Sequence, residues 1–202
     1  MNIICFDMES VLTPEIWIAF SQASGIPELC RTTRDEPDYD KLMRWRISIL
    51  NEHGLGLKEV QQVISTIDPL PGAREFLDEL RKEVQVVILS DTFEEFAQPL
   101  IEKLGMPPIL CNSLEIGSDG RIVSHKMRIA HSKLSAVKAL QSINYDTIAV
   151  GDSFNDLEMI AASKKGFLFN TTDQLRAEYP QYEAYYDYPS LLEAIRKIIR
   201  EG

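Results

Sequence analysis

Three short apolar runs of this chain each end in carboxylates or a hydroxyl. Asp7 and Glu9 follow residues 2–6 (NIICF), Ser90 and Asp91 follow 84–89 (VQVVIL), and Asp152 and Asp156 follow 147–150 (TIAV). If the runs are parallel strands, these groups converge on one edge, because open α/β sheets bind ligands beyond the carboxyl ends of their strands. Carboxylates crowded together repel one another unless a cation lies among them. Several oxygen donors with open positions suit Mg²⁺, which keeps waters and accepts a phosphate oxygen. Each Asp could instead cap the helix after its strand. Three sets at matched positions are more than capping explains.

The elements that must position these residues alternate. Runs at 2–6, 84–89, 147–150 and 166–169 read as strands buried on both faces. Helical periodicity predicts helices at 73–82, 94–104, 133–143, 155–163 and 190–199. That alternation gives an α/β fold, a doubly wound, Rossmann-like parallel sheet with helices on both faces. Two stretches break the rhythm. Residues 14–69 hold helical patterns at 15–23, 41–50 and 58–64 and no strand-like run, and Pro69-Leu70-Pro71-Gly72 punctuates the return to the sheet. The expected organisation is a core domain of residues 1–13 and 70–202, with a small helical cap, 14–69, inserted after the first strand. The turn Gly117-Ser118-Asp119-Gly120 between two apolar triplets is a hairpin signal.

Bulk properties narrow the partners. A formal net charge of −10 repels nucleic acid and anionic membrane, so neither is expected. An anionic substrate must then find local cations, a metal or a few placed Lys and Arg. The 3 cysteines form no CxxC pair and read as reduced thiols. The start MNIICFDMES lacks the basic and long apolar regions of a signal peptide, and no run approaches a membrane span. A cytoplasmic protein is expected. No GxGxxG or GxxxxGK[ST] nucleotide signature occurs.

The run Asp7-Met8-Glu9-Ser10-Val11-Leu12-Thr13 resembles the first motif of the haloacid dehalogenase superfamily of phosphatases and phosphotransferases. Ser90 after VVIL resembles the second motif, Lys133 the third, and Gly151-Asp152-Ser153-Phe154-Asn155-Asp156 the fourth, all in family order. The helical insertion resembles the cap of the phosphoserine phosphatase branch. The likeness to members that also transfer phosphate to homoserine runs through TPEIWIAF, TTRDEPDYD, VVILSDTFEEF and GDSFND.

The resemblance implies roles. Asp7 is the nucleophile that forms an aspartyl-phosphate. Mg²⁺ is held by Asp7, the Glu9 carbonyl and Asp152, with Asp156 behind them or as a further ligand. Lys133 and Ser90, with Asp91 beside it, serve the phosphoryl oxygens. Glu9 is a departure, since the family places Asp two residues after its nucleophile. Glu can perform the same acid–base work with a longer reach. Glu15 and Arg46 resemble the branch's pair for the substrate ammonium and carboxylate, and Asn155 and Arg128 are further substrate contacts. On residue pattern alone, Glu15 and Arg46 read as surface charges. Trp17 and Phe20 read as cap packing, and His53, His125 and His131 as no metal set.

The implied function is hydrolysis of phosphoserine, with transfer to homoserine. The alternatives are a phosphatase for another small phosphomonoester and a receiver-type module phosphorylated on Asp. The Tyr-rich segment 178–189 reads as surface packing or as a contact between copies in a homodimer.

Overall fold

A computed structural model describes residues 1–32, 35, 36 and 38–201. Apolar residues make Asn2–Phe6 the strand β1, and burial on both faces requires a neighbour on each side. Those neighbours are β2 (Gln85–Phe93) and β5 (Asp146–Gly151), both parallel, which set Phe6 beside Ile88 and Val150. Next to β2 lies β3 (Ile109–Ile116), and its antiparallel partner β4 (Ile122–Lys126) closes that edge. On the other side lie β6 (Lys165–Phe169) and β7 (Glu183–Tyr185). The sheet order is β4-β3-β2-β1-β5-β6-β7.

Between β1 and β2 run α1 (Ile16–Ser24), α2 (Tyr39–Glu52), α3 (Leu57–Ile64) and α4 (Ala73–Leu80). A 3₁₀ turn, Pro27–Cys30, separates the first two. The remaining helices are α5 (Glu94–Lys103), α6 (Ser132–Ser142), α7 (Leu157–Ala162), α8 (Asp173–Glu178) and α9 (Tyr188–Glu201). Alternation along β1 divides the core. Ile4 and Phe6 join α4, α5, α9 and the helices of residues 14–69, whereas Ile3 and Cys5 join α6, α7 and α8. The sheet is therefore wound on both faces, as expected.

The regular elements described within residues 14–69 are all helical. Thr33, Arg34 and Pro37, within the matched TTRDEPDYD run, lie outside the described residues. Trp17 packs edge-on against Phe96 of α5 at 5.4 Å, and Asn51 of α2 donates to the Ile122 carbonyl of β4 at 3.4 Å. These contacts seat the helical segment against α5 and the β4 edge of the sheet.

Three differences from the sequence expectation have physical reasons. β2 runs on past Leu89 to Phe93 through a register shift against β3. Ser90 and Asp91 thus lie in extended backbone rather than in a turn, and the Asn112 amide donates to the Asp91 carbonyl at 2.9 Å. β3 extends well before the expected hairpin half and pairs parallel with β2. The Tyr-rich segment supplies α8's end, β7 and the start of α9. Tyr188 is stacked between Phe76 and Phe169 with ring centroids 4.9 Å away on each side, so part of this segment is core packing. No helix among the described residues is long and apolar enough to cross a membrane.

Candidate active site

Asp7 is the residue at which β1 ends, and its N–H donates to the Val150 carbonyl of β5 at 2.9 Å. The pairing of β1 with β5 therefore brings Asp7 next to the Gly151–Asp152 turn. Carboxylate oxygens of Asp7, Asp152 and Asp156 lie within 4.8 Å of one another. Lys133, in the first turn of α6, reaches the cluster, with Nζ 2.9 Å from Asp7 Oδ1 and 2.6 Å from Asp156 Oδ1. Asp7, Lys133 and Asp156 are all buried, at 5%, 4% and 0% exposure. One lysine cannot neutralise three carboxylates.

The imbalance appears in the titration of the cluster. Burial and the neighbouring Asp156 raise Asp7 well above the usual carboxylate range, against the opposing pull of Lys133. The same two causes push Asp152 up to about 7. Burial alone would lower Lys133, but Asp156 and Asp7 reverse that and keep it protonated. An all-oxygen donor set with excess negative charge fits a hard divalent cation such as Mg²⁺.

Asp156 differs from its two neighbours. Its Oδ2 accepts the N–H groups of Asp152 and Ser153 at 3.0 and 3.2 Å, while Oδ1 holds Lys133. Gly151 makes room for it: a Cβ there would lie 2.3 Å from the Asp156 Cβ. Thr171 Oγ1 donates to the Asp152 carbonyl at 2.7 Å, fixing the turn from β6.

At the end of β2, Ser90 Oγ accepts the Thr92 N–H at 3.2 Å, which leaves its own proton to donate. Asp91 is engaged by its neighbours. Its carboxylate accepts Ser132 Oγ at 2.7 Å and Asn155 Nδ2 at 3.3 Å, and lies 4.0 Å from Lys133 Nζ. That arrangement ties the β2 end, the start of α6 and the Asp152–Asp156 turn together.

Glu9 stands across from this cluster. Burial, then Asp7 and Glu15, push its carboxyl up to about 8, although the Ile16 N–H and Arg46 oppose the shift. Glu15 is the N-cap residue of α1, yet its carboxylate caps no N–H of that helix. Arg46 is 4% exposed and lies 4.4 Å over the Trp17 ring. Trp17 thus carries the guanidinium as well as packing on α5. Arg46 Nη2 donates to the Arg31 carbonyl at 2.6 Å, but its buried Nε has no hydrogen-bond partner among the described residues. Burial lowers Arg46 to about 10, still protonated at neutral pH, with Tyr39, Glu9 and Glu15 favouring the charge.

Tyr39 was not among the residues singled out by sequence. It precedes Arg46 by seven positions and so shares its face of α2. Its ring meets His125 of β4 edge-on at 6.1 Å. Burial, with Glu9 next, raises its phenol. The helical offset from Arg46 was the signal that could have found it. Arg128, in contrast, is exposed, and among the described residues its hydrogen bonding is limited to the backbone N–H, which donates to Asn112 Oδ1.

The family model for haloacid dehalogenase-like hydrolases matches residues 1–164. The phosphoserine phosphatase ThrH of Pseudomonas aeruginosa is 50% identical over 191 residues, covering 95% of this chain and 93% of that protein. A phosphoserine phosphatase of Pseudomonas syringae pv. tomato is 49% identical over 95% of this chain and 81% of its own length. A solved phospho-aspartyl intermediate analogue of phosphoserine phosphatase superposes with a TM-score of 0.76, covering 96% of this chain and 98% of that one; at 23% identity it speaks to the fold.

Proposed function

This chain belongs to the haloacid dehalogenase-like hydrolases, in their phosphoserine phosphatase branch, and from that premise we propose that it hydrolyses L-phosphoserine through an aspartyl-phosphate on Asp7, with L-homoserine as a second acceptor. The observation that carries this reading is Asp7 buried against Lys133 in a carboxylate cluster that one lysine cannot balance. Residues 1–13 and 70–202 form the catalytic core, and residues 14–69 the cap that selects the substrate.

Substrate binding falls to the helical segment. Arg46, charged and with a buried Nε that has no partner among the described residues, takes the carboxylate, while Glu15 takes the ammonium. The hydroxyl proton of Ser90 and the Lys133 ammonium hold the phosphoryl oxygens. A carboxylate oxygen of Asp7 then attacks phosphorus, and the bond from phosphorus to the serine oxygen breaks. Glu9, whose raised carboxyl is protonated at neutral pH, gives its proton to that leaving oxygen. In the second half Glu9 is the base. It takes the proton of water or of the homoserine hydroxyl as that oxygen attacks phosphorus and releases Asp7.

Asp7, Asp152 and the Glu9 carbonyl would hold Mg²⁺, which when bound neutralises charge between the attacking carboxylate and the phosphoryl oxygens. Asp156, with both oxygens engaged, positions Lys133 and the 151–153 turn and would serve the ion from behind its ligands or as a further ligand. Asp91 and Asn155 hold the adjoining walls of the site, with Asn155 the nearer candidate for substrate. The three cysteines are free, consistent with a reducing, cytoplasmic setting.

The test is turnover of L-phosphoserine with Mg²⁺, with and without L-homoserine, following phosphate and phosphohomoserine together. Phosphohomoserine formed at the expense of phosphate is the expected outcome. Phosphate alone removes the transferase half, and preference for a sugar phosphate removes the amino-acid specificity.

A further inference from the structure

A cavity of about 710 Å³ lies away from the carboxylate cluster, between the start of α4 and the start of α9. Its volume is that of a small-molecule site, and its wall is apolar, built on the stacked rings of Phe76, Tyr188 and Phe169. Three residues of this wall hold three successive carbonyls of the loop that follows Asp7 and Glu9. The Asn170 amide donates to Ser10 O at 3.1 Å, the Tyr188 hydroxyl to Val11 O at 2.7 Å, and the Leu70 N–H to Leu12 O at 2.9 Å.

The charges around the cavity favour one sign of ligand. Glu75, Glu79, Asp187 and Glu193 line it, against the single cation Arg196. Arg196 is already held by Glu83 at 2.6 Å and by Glu193 at 3.3 Å. Glu79 is paired with Lys82 and Asp187 caps the Ser190 N–H, whereas Glu75 is exposed and has no ion-pair partner among the described residues. An apolar wall with an uncompensated carboxylate at its rim suits an apolar body that ends in an ammonium.

We propose that this cavity binds a small organic amine with an aromatic or branched apolar body, and that its occupancy is transmitted to the nucleophile loop through the Tyr188–Val11 hydrogen bond. The site is regulatory, since its contacts are to the back of the 10–12 loop.

The probe is 2-phenylethylamine, compared with the neutral 2-phenylethanol and the anionic 3-phenylpropionate, by NMR titration of the full chain. The amine should bind about fivefold tighter than the alcohol, and Glu75→Gln should abolish that margin. Binding does not depend on the phosphatase reading; the second readout, the effect of saturating amine on turnover of p-nitrophenyl phosphate, does. Saturating amine should change kcat in the wild type. In Tyr188→Phe, which keeps the ring stack, the amine should still bind while the kcat response is lost. Equal binding of amine and alcohol, or no saturation, overturns the site. Binding that leaves kcat unchanged overturns the transmission. A wild-type dimer that Tyr186→Glu turns into a monomer assigns the cavity to a second copy and overturns the proposal.

Discussion

Lys133 and Arg46 are the buried cations among the described residues, and the proposed mechanism assigns them to different ends of the substrate. Lys133 is enclosed by carboxylates. Its replacement by Ala should lower kcat by roughly 10²–10³-fold, the loss expected for a donor aimed at reacting oxygens. Removing it also leaves buried carboxylates uncompensated, at a cost of about 3–5 kcal/mol, so thermal melts should accompany the kinetics. A normal kcat in a folded Lys133→Ala protein would take Lys133 out of the chemistry. Arg46→Ala should raise KM for phosphoserine by about 10–100-fold, the worth of a charged hydrogen-bonded contact, and leave p-nitrophenyl phosphate nearly unaffected. An equal effect on both substrates would refute its carboxylate role. At this scale the carboxylates were legible because each follows an apolar run. Lys133 was legible only through motif order, since a lysine opening a helix looks like any solvated lysine. Tyr39 went unseen because its placement depends on how α2 rests against β4.

Among the elements, the turn after β5 shows how backbone room sets the placement of charged side chains. Gly151 leaves the space that the Asp156 side chain fills, and Asp156 in turn holds Lys133. Gly151→Ala should push Asp156 aside and lower kcat by about 100-fold, the scale of a misplacement near 1 Å. Gly54→Ala provides the contrast. Its position faces open space at φ 68°, so it should cost about 1 kcal/mol of stability and leave kcat alone. Activity in Gly151→Ala equal to that of Gly54→Ala would separate Asp156 from catalysis. The central strands and most helices were readable from periodicity, because burial on both faces of β1, β5 and β6 imposes unbroken apolar runs. β3 was not, since ILCNSLEI mixes polar and apolar positions without a clean period. β7 was hidden for a different reason: its three residues are too short to form a pattern.

For the whole molecule, the excess of carboxylate at the sheet edge predicts a pH-dependent response to metal. In metal-free protein, burial and Asp156 push Asp152 up to about 7, above its value in the unfolded chain. The folded state then binds that proton more tightly, so stability falls as pH rises from about 4 towards neutrality. Mg²⁺ requires the deprotonated carboxylates and should recover the loss. Thermal melts with Mg²⁺ and with chelator should therefore differ more at pH 8 than at pH 5. The chelated protein should still fold, because two apolar clusters flank the sheet independently of any metal. Equal shifts at the two pH values would mean that the carboxylate cluster does not hold the ion.

The covalent step on Asp7 is the centre of this account, and trapping it is the most direct test. Protein mixed with Mg²⁺ and L-phosphoserine is quenched in acid within a single turnover, reduced with borohydride and mapped by peptide mass spectrometry. Reduction of an aspartyl-phosphate converts that residue to homoserine, so the conversion is expected at position 7 in the wild type and is expected to be absent in Asp7→Asn. Turnover of phosphoserine with Asp7 unmodified, or with the modification at another carboxylate, would contradict it.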